Sequence, residues 1–322
     1  ANDPVASLAY WRQQLDGMPQ ALDLPRLPGS RPDARQQRQP LVIPEALADQ
    51  LRALAAVEQT TLFAVLTAAL RLLISRLASQ PDFGIGTAVT GRDDPDALRT
   101  PGCFVNNIVL RNPVPPDGSF LDLLRGERDG LLAGLARAQL PFQEVVAALN
   151  PERQPGVHPL FQLLFLFEPA HAEPPCAAGV EFRLETFSDI RRESFWDLEL
   201  SLTDHGAGRA ITGYFGYAEA LFAADFAAAL PARFVALASR LVTRAEAPLG
   251  SHSLLLPGEF DELKALGTGE ARDWPPPHSL HGLVLAQCQA TPDRVALVDG
   301  ERRWTYACLL YTSDAADDSV LV

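Results

Sequence analysis

The sequence predicts an α/β protein: a mixed β-sheet flanked by helices, followed by a linker and an incomplete second domain. Three observations carry this. Helix-period and strand-like segments interleave over the first 245 residues. A proline- and glycine-rich stretch then breaks the pattern, and a new helix–strand–strand unit opens at Ser279.

The elements follow in order. Apolar spacing predicts a short amphipathic helix over 8–16, broken by an extended loop with Pro25, Pro28, Gly29 and Pro32. Residues 36–43 read as a strand. Pro44 opens a helix to about Val57, with Leu47, Leu51 and Leu54 on one face. Thr60 or Thr61 caps a second helix over 62–77, apolar nearly all round and so expected to be buried. Strands are expected over 83–89 and 104–110. Ser119 with Asp122 forms an N-cap signature, and Pro141 starts a helix that ends near Asn150.

Residues 160–167 form the longest apolar stretch, interrupted by Gln162 and strand-sized. Strands are further expected over 180–187, 195–203 and 209–217, the last two joined as a hairpin through Asp204-His205-Gly206-Ala207-Gly208. A long helix over 222–244 places Phe226, Leu230, Phe234 and Leu237 on one face. The linker, 246–278, holds one short helix over 259–266. Beyond it Ser279 caps a helix to Ala290, and strands are expected over 295–298 and 304–306.

Composition narrows the function classes. Basic residues number 27 against 40 acidic, a net charge of −13. That balance opposes nucleic-acid binding and attraction to anionic membranes. Cys103, Cys176, Cys288 and Cys308 show no C-x-x-C spacing and read as reduced thiols of a cytoplasmic protein. The Gly84-x-Gly86 pair hints at a dinucleotide loop, but Val89 stands where the third glycine belongs, so close packing is the better reading. His278 and His281 lack a third ligand at useful spacing. Asp93, Asp94 and Asp96 read as a polar loop rather than a cation site.

The chain opens on Ala1, holds one methionine and stops soon after a strand begins, so it is expected to be a piece of a longer protein. The run from Cys308 onward resembles a translated sequencing adapter and is expected to be foreign to the fold.

Several segments resemble the condensation domain of nonribosomal peptide synthetases. Ile85-Gly-Thr-Ala-Val-Thr-Gly-Arg92 with Gly102-Cys-Phe-Val-Asn106-Asn-Ile-Val-Leu-Arg111 resembles that family's fifth core motif. Leu140-Pro-Phe-Gln-Glu-Val-Val146 with His158-Pro-Leu-Phe-Gln162 resembles the sixth, and Trp196-Asp-Leu-Glu-Leu200 with Gly213-Tyr-Phe-Gly-Tyr217 the seventh. Tyr10-Trp11 and the loop from Leu24 to Pro32 resemble the stretch after the fourth motif. Leu280-His281, Thr291-Pro292-Asp293-Arg-Val-Ala296 and Thr305-Tyr306 look like the opening of an adenylation domain.

The resemblance implies a chloramphenicol-acetyltransferase-like lobe over 1–245, a linker over 246–278, an adenylation start over 279–307 and the foreign tail over 308–322. It also implies amide-bond formation by an elongation module, working with donor and acceptor peptidyl carrier proteins that present 4'-phosphopantetheine. Nothing implies a directly bound cofactor or metal; ATP belongs only to a complete adenylation domain. The family's His-His-x-x-x-Asp-Gly motif does not occur, since the chain has no His-His pair. The resemblance therefore implies the C-terminal lobe, inactive alone. It offers three supporting candidates: Arg92, to pair with the missing motif's aspartate; Asn106, beside the tunnel; and Gln162, polar within an apolar strand and reaching the cleft. An epimerisation domain and a non-catalytic carrier-binding domain of the same fold are the alternatives.

Overall fold

The computed structural model describes residues 3–28, 35–92, 100–151, 157–170, 195–270 and 279–311. The expected strand over 180–187, the aspartates near Arg92, Cys176 and His278 lie outside them. The chain divides into two compact units between Glu259 and Phe260.

The first unit is built on a six-stranded sheet in the order β1-β6-β5-β4-β2-β3. Its strands are β1 (Gln36–Ile43), β2 (Gly84–Val89), β3 (Asn106–Arg111), β4 (Leu163–Pro169), β5 (Leu198–Asp204) and β6 (Ile211–Ala218). β4 runs parallel to β2 and β5, and the other pairings are antiparallel, so the sheet is mixed as the sequence predicts. The 204–208 turn closes the β5–β6 hairpin, with Asp204 opposite Ile211.

Strand alternation sorts the side chains onto two faces. Leu41, Ile43, Ile85, Leu110, Leu163, Phe165, Leu200, Leu202 and Phe215 point into the core. Over them lie α2 (Glu45–Val57), α3 (Leu62–Leu77), α4 (Phe120–Leu135) and α6 (Ala224–Thr243). Thr61 caps α3 through the Ala64 N–H, and Ser119 with Asp122 completes a capping box on α4. Phe63 stacks on Phe165 with centroids 5.0 Å apart, and Phe234 meets Phe215 edge-on at 6.0 Å. α6 is long and apolar enough to cross a membrane. Its Leu230, Phe234, Leu237 and Leu241 are instead buried in this core. α1 (Pro4–Leu15) and α5 (Phe142–Leu149) pack near the β3 edge.

A pair of opposite charges lies wholly inside. Arg71 of α3 pairs with Glu127 of α4, and neither side chain is more than 2% exposed. Arg71 also donates to the carbonyls of Phe83 and Leu110, each at 2.8 Å, so one guanidinium ties two helices to β2 and β3.

The expected boundary at Ala245 moves. Pro248 bridges Ser119, and Leu249 and His252 are buried against the lobe, so the first part of the expected linker belongs to the first unit. The second unit contains α7 (Leu280–Ala290), capped by Ser279, and the hairpin β7 (Val295–Asp299) and β8 (Arg302–Thr305). Cys308, where the foreign tail is expected to start, donates its N–H to Thr305 Oγ1 at 3.3 Å.

Candidate functional site

Arg92 lies just past β2, after Gly91 at φ 53°. A Cβ at Gly91 would stand 2.7 Å from the Phe104 carbonyl, so the turn needs glycine on both counts. The Arg92 guanidinium lies over the Phe104 ring, 4.4 Å from its centroid. It donates to the carbonyls of Thr100, at 3.0 Å, and Gly102, at 3.1 Å. These bonds draw the end of the β2–β3 connection back toward β2.

Asn106 opens β3 and turns toward the start of α5. Its amide nitrogen donates to the carbonyls of Ala138 and Leu140, both at 2.8 Å, and its oxygen accepts from the Phe142 N–H at 2.9 Å. Pro141 offers no side-chain cap to α5, so Asn106 supplies from a distance the acceptor a capping side chain would give. The group expected to face a thioester is engaged by backbone.

Gln162 lies one residue before β4 rather than within a strand, and only 3% of it is exposed. Its oxygen accepts from the Leu22 N–H at 2.8 Å. Its nitrogen donates to the carbonyls of Gln20, at 3.0 Å, and His158, at 2.8 Å. This amide staples the segment after α1 to the entry of β4. The expectation that it reaches a cleft gives way to this inward role, because the apolar run before it is a turn. Leu160 has φ 69°, in the left-handed region that a branched side chain rarely adopts. Phe161 then crosses Gly86, where a Cβ would stand 2.2 Å from its ring. Close packing, not phosphate, explains the two glycines of β2.

His158 enters the sequence reading only as part of the sixth-motif segment, with no role of its own. Its Nδ1 is 3.0 Å from the Phe161 carbonyl, which selects the Nδ1–H tautomer. The ring stacks on Phe142 at 6.0 Å, with Phe161 at 4.5 Å and Trp196 at 5.9 Å. Burial lowers its pKa, so the imidazole is held neutral. Next to Trp196, Asp197 pairs with Arg26; burial raises the carboxyl pKa and Arg26 partly offsets the rise.

The sheet face turned away from the core is polar across β1, β6 and β5. Glu199 accepts from the Tyr214 hydroxyl at 2.8 Å and from Gln36 Nε2 at 2.9 Å. Arg38 lies 3.7 Å over the Tyr214 ring and donates to its hydroxyl at 2.8 Å. Burial first, and Glu199 second, raise the Tyr214 pKa, so the phenol stays a donor. Gln36 covers Gly216, where a Cβ would stand 2.8 Å from its nitrogen. Alternation in Leu198-Glu199-Leu200-Ser201-Leu202 could have placed Glu199 on this face; its partners could not be read without the strand order.

This sheet and these motif positions meet a family description. The condensation-domain family matches residues 2–264. The chain belongs to the condensation-domain family. A probable non-canonical nonribosomal peptide synthetase, CymA of Salinispora arenicola, is 34% identical over 94% of this chain and 4% of its own length. Phosphinothricin tripeptide synthetase PhsB of Streptomyces viridochromogenes is 32% identical over 95% of this chain and 26% of its own length. The chain thus spans about a quarter or less of these relatives.

Solved structures share the fold. A four-domain nonribosomal peptide synthetase bound to AMP and glycine aligns at TM-score 0.74 and 22% identity, over 96% of this chain and 24% of that one. The X-domain from teicoplanin biosynthesis aligns at 0.69 and 20%, over 79% of this chain and 58% of that one. The first unit is therefore a chloramphenicol-acetyltransferase-like lobe with its mixed sheet flanked by helices, as expected.

Proposed function

We propose that the chain is the C-terminal lobe of a condensation domain in an elongation module, and that its parent joins two carrier-bound substrates. In that reaction the amine of an aminoacyl thioester attacks the carbonyl of an acyl or peptidyl thioester. The amide bond forms, the donor carbon–sulfur bond breaks, and the amine proton balances the departing thiolate of the 4'-phosphopantetheine arm. Positioning the two thioesters supplies much of the rate. The observation that carries this reading is the family match over residues 2–264.

On this reading the lobe is scaffold and wall. The His-His pair that would hold the amine is absent from the chain, which is therefore inactive alone. Arg92 gathers the loop that would meet the missing motif, and Asn106 and Gln162 set the backbone around the tunnel. Residues 279–307 are the start of an adenylation domain, too small to bind ATP alone. The donor and acceptor carrier proteins are the partners, and the compartment is the cytoplasm.

The test uses the parent domain, with its upstream half, and two loaded carriers. Dipeptidyl thioester on the acceptor carrier, read by mass spectrometry, supports the reading. Inversion of the carrier-bound residue without a new amide would support epimerisation and overturn it. No chemistry, with carrier binding retained, would overturn it in favour of a recruiting domain.

A further inference from the structure

The segment leaving the condensation unit is held by its backbone. Arg76, in the last turn of α3, donates to the carbonyls of Leu249 and His252. Arg240 of α6 donates to those of Ser253, at 2.6 Å, and Leu255, at 2.8 Å. Arg233, two turns earlier on α6, donates to the Leu254 carbonyl at 3.0 Å. Both of its terminal nitrogens also grip the Glu259 carboxylate, at 2.9 and 2.6 Å. Glu259 closes the ring by accepting the Leu256 N–H at 2.8 Å. Three guanidinium groups thus hold every carbonyl from His252 to Leu255.

The attachment has two parts of different character. The inner part has buried anchors, Leu249 at 3% exposure and His252 at 2%. The outer part, Ser253 to Glu259, has none: Ser253, Pro257 and Gly258 are exposed, and Leu254, Leu255 and Leu256 are half-buried. Apart from Leu254, which packs partly buried against the core, it is fastened by arginine contacts near the surface, which salt screens and which open locally more readily than a packed core.

We propose that Ser253–Glu259 is a releasable arm that sets where the chain leaves the condensation unit. Docked, the exit lies at Glu259. Undocked, it lies at His252, and the seven residues from Ser253 to Glu259 join the tether. Fully extended they span at most about 23 Å. The Arg233–Glu259 clasp is the tie that decides between the two states. The device does not depend on which reaction the parent performs.

Hydrogen–deuterium exchange on the 322-residue chain tests this. The amides of Leu255 and Leu256 should exchange well before those of buried α6, and faster at high salt. Arg233→Ala should speed them roughly tenfold or more, since it removes charge-assisted bonds. Glu259→Gln, which keeps the shape and removes the charge, should act in the same direction. The α6 amides should be unaffected in both. Spin labels at Asp129→Cys and Gln289→Cys, in a background without the native cysteines, should show a broader distance distribution in Arg233→Ala. Arm amides that exchange only together with α6, or that ignore both substitutions, would overturn the proposal. So would an unchanged distance distribution.

Discussion

Replacing Gln162 by methionine separates a staple from a substrate contact. Methionine keeps the length and volume and removes the carboxamide. The buried Leu22 N–H then has no acceptor, which costs about 1–3 kcal/mol. The His158 carbonyl loses a donor in a half-buried site, adding roughly 0.5–1.5 kcal/mol. The Gln20 carbonyl is exposed and returns to water, so its 3.0 Å bond adds little. The sum is about 1.5–4.5 kcal/mol, lost from the condensation unit. Urea unfolding followed by circular dichroism should show a midpoint lower by roughly 1 M, with an unchanged slope. In the parent domain at low temperature, turnover per folded molecule should change little. A stability loss under about 0.5 kcal/mol, with turnover falling by orders of magnitude, would refute the staple and restore a role at the substrate.

Two further outcomes follow. Arg71→Met should destabilise the unit by about 3–5 kcal/mol, because Glu127 keeps a buried charge without its partner; the double variant Arg71→Met/Glu127→Leu should be more stable than the single one in the same unfolding assay. His158 and His252 both have pKa values lowered by burial, aided at His252 by Arg244, Arg76 and Arg240, so each binds fewer protons folded than unfolded. Their contribution is complete above the ordinary histidine value, about 6.5, and is lost as pH falls toward the depressed folded values. A stability-against-pH curve should drop over that window, and His252→Gln should flatten part of the drop.

Much of the fold was legible because its signals are local. The α3 pattern, apolar nearly all round, the Ser119–Asp122 box and the β5–β6 hairpin turn each depend on residues a few positions apart. The order β1-β6-β5-β4-β2-β3 does not. The site residues were legible in identity but not in role. Asn106 and Gln162 read as available amides because all their partners are backbone groups, which no side-chain pattern announces, and all but the His158 carbonyl lie 32 to 142 residues away. The run from Leu160 read as strand because it is apolar, yet Leu160 and Phe161 form the turn that crosses Gly86. The stretch after Ala245 read as a linker because prolines and glycines punctuate it; the arginines that hold it come from α3 and α6.

The most direct test of the account takes this chain alone. Purified chain is mixed with separately loaded donor and acceptor carriers, and the acceptor thioester is analysed by intact mass spectrometry over a time course. The account predicts no dipeptidyl product above the no-protein control, because no His-His pair is present to hold the attacking amine. Sustained amide formation by this chain alone would contradict it.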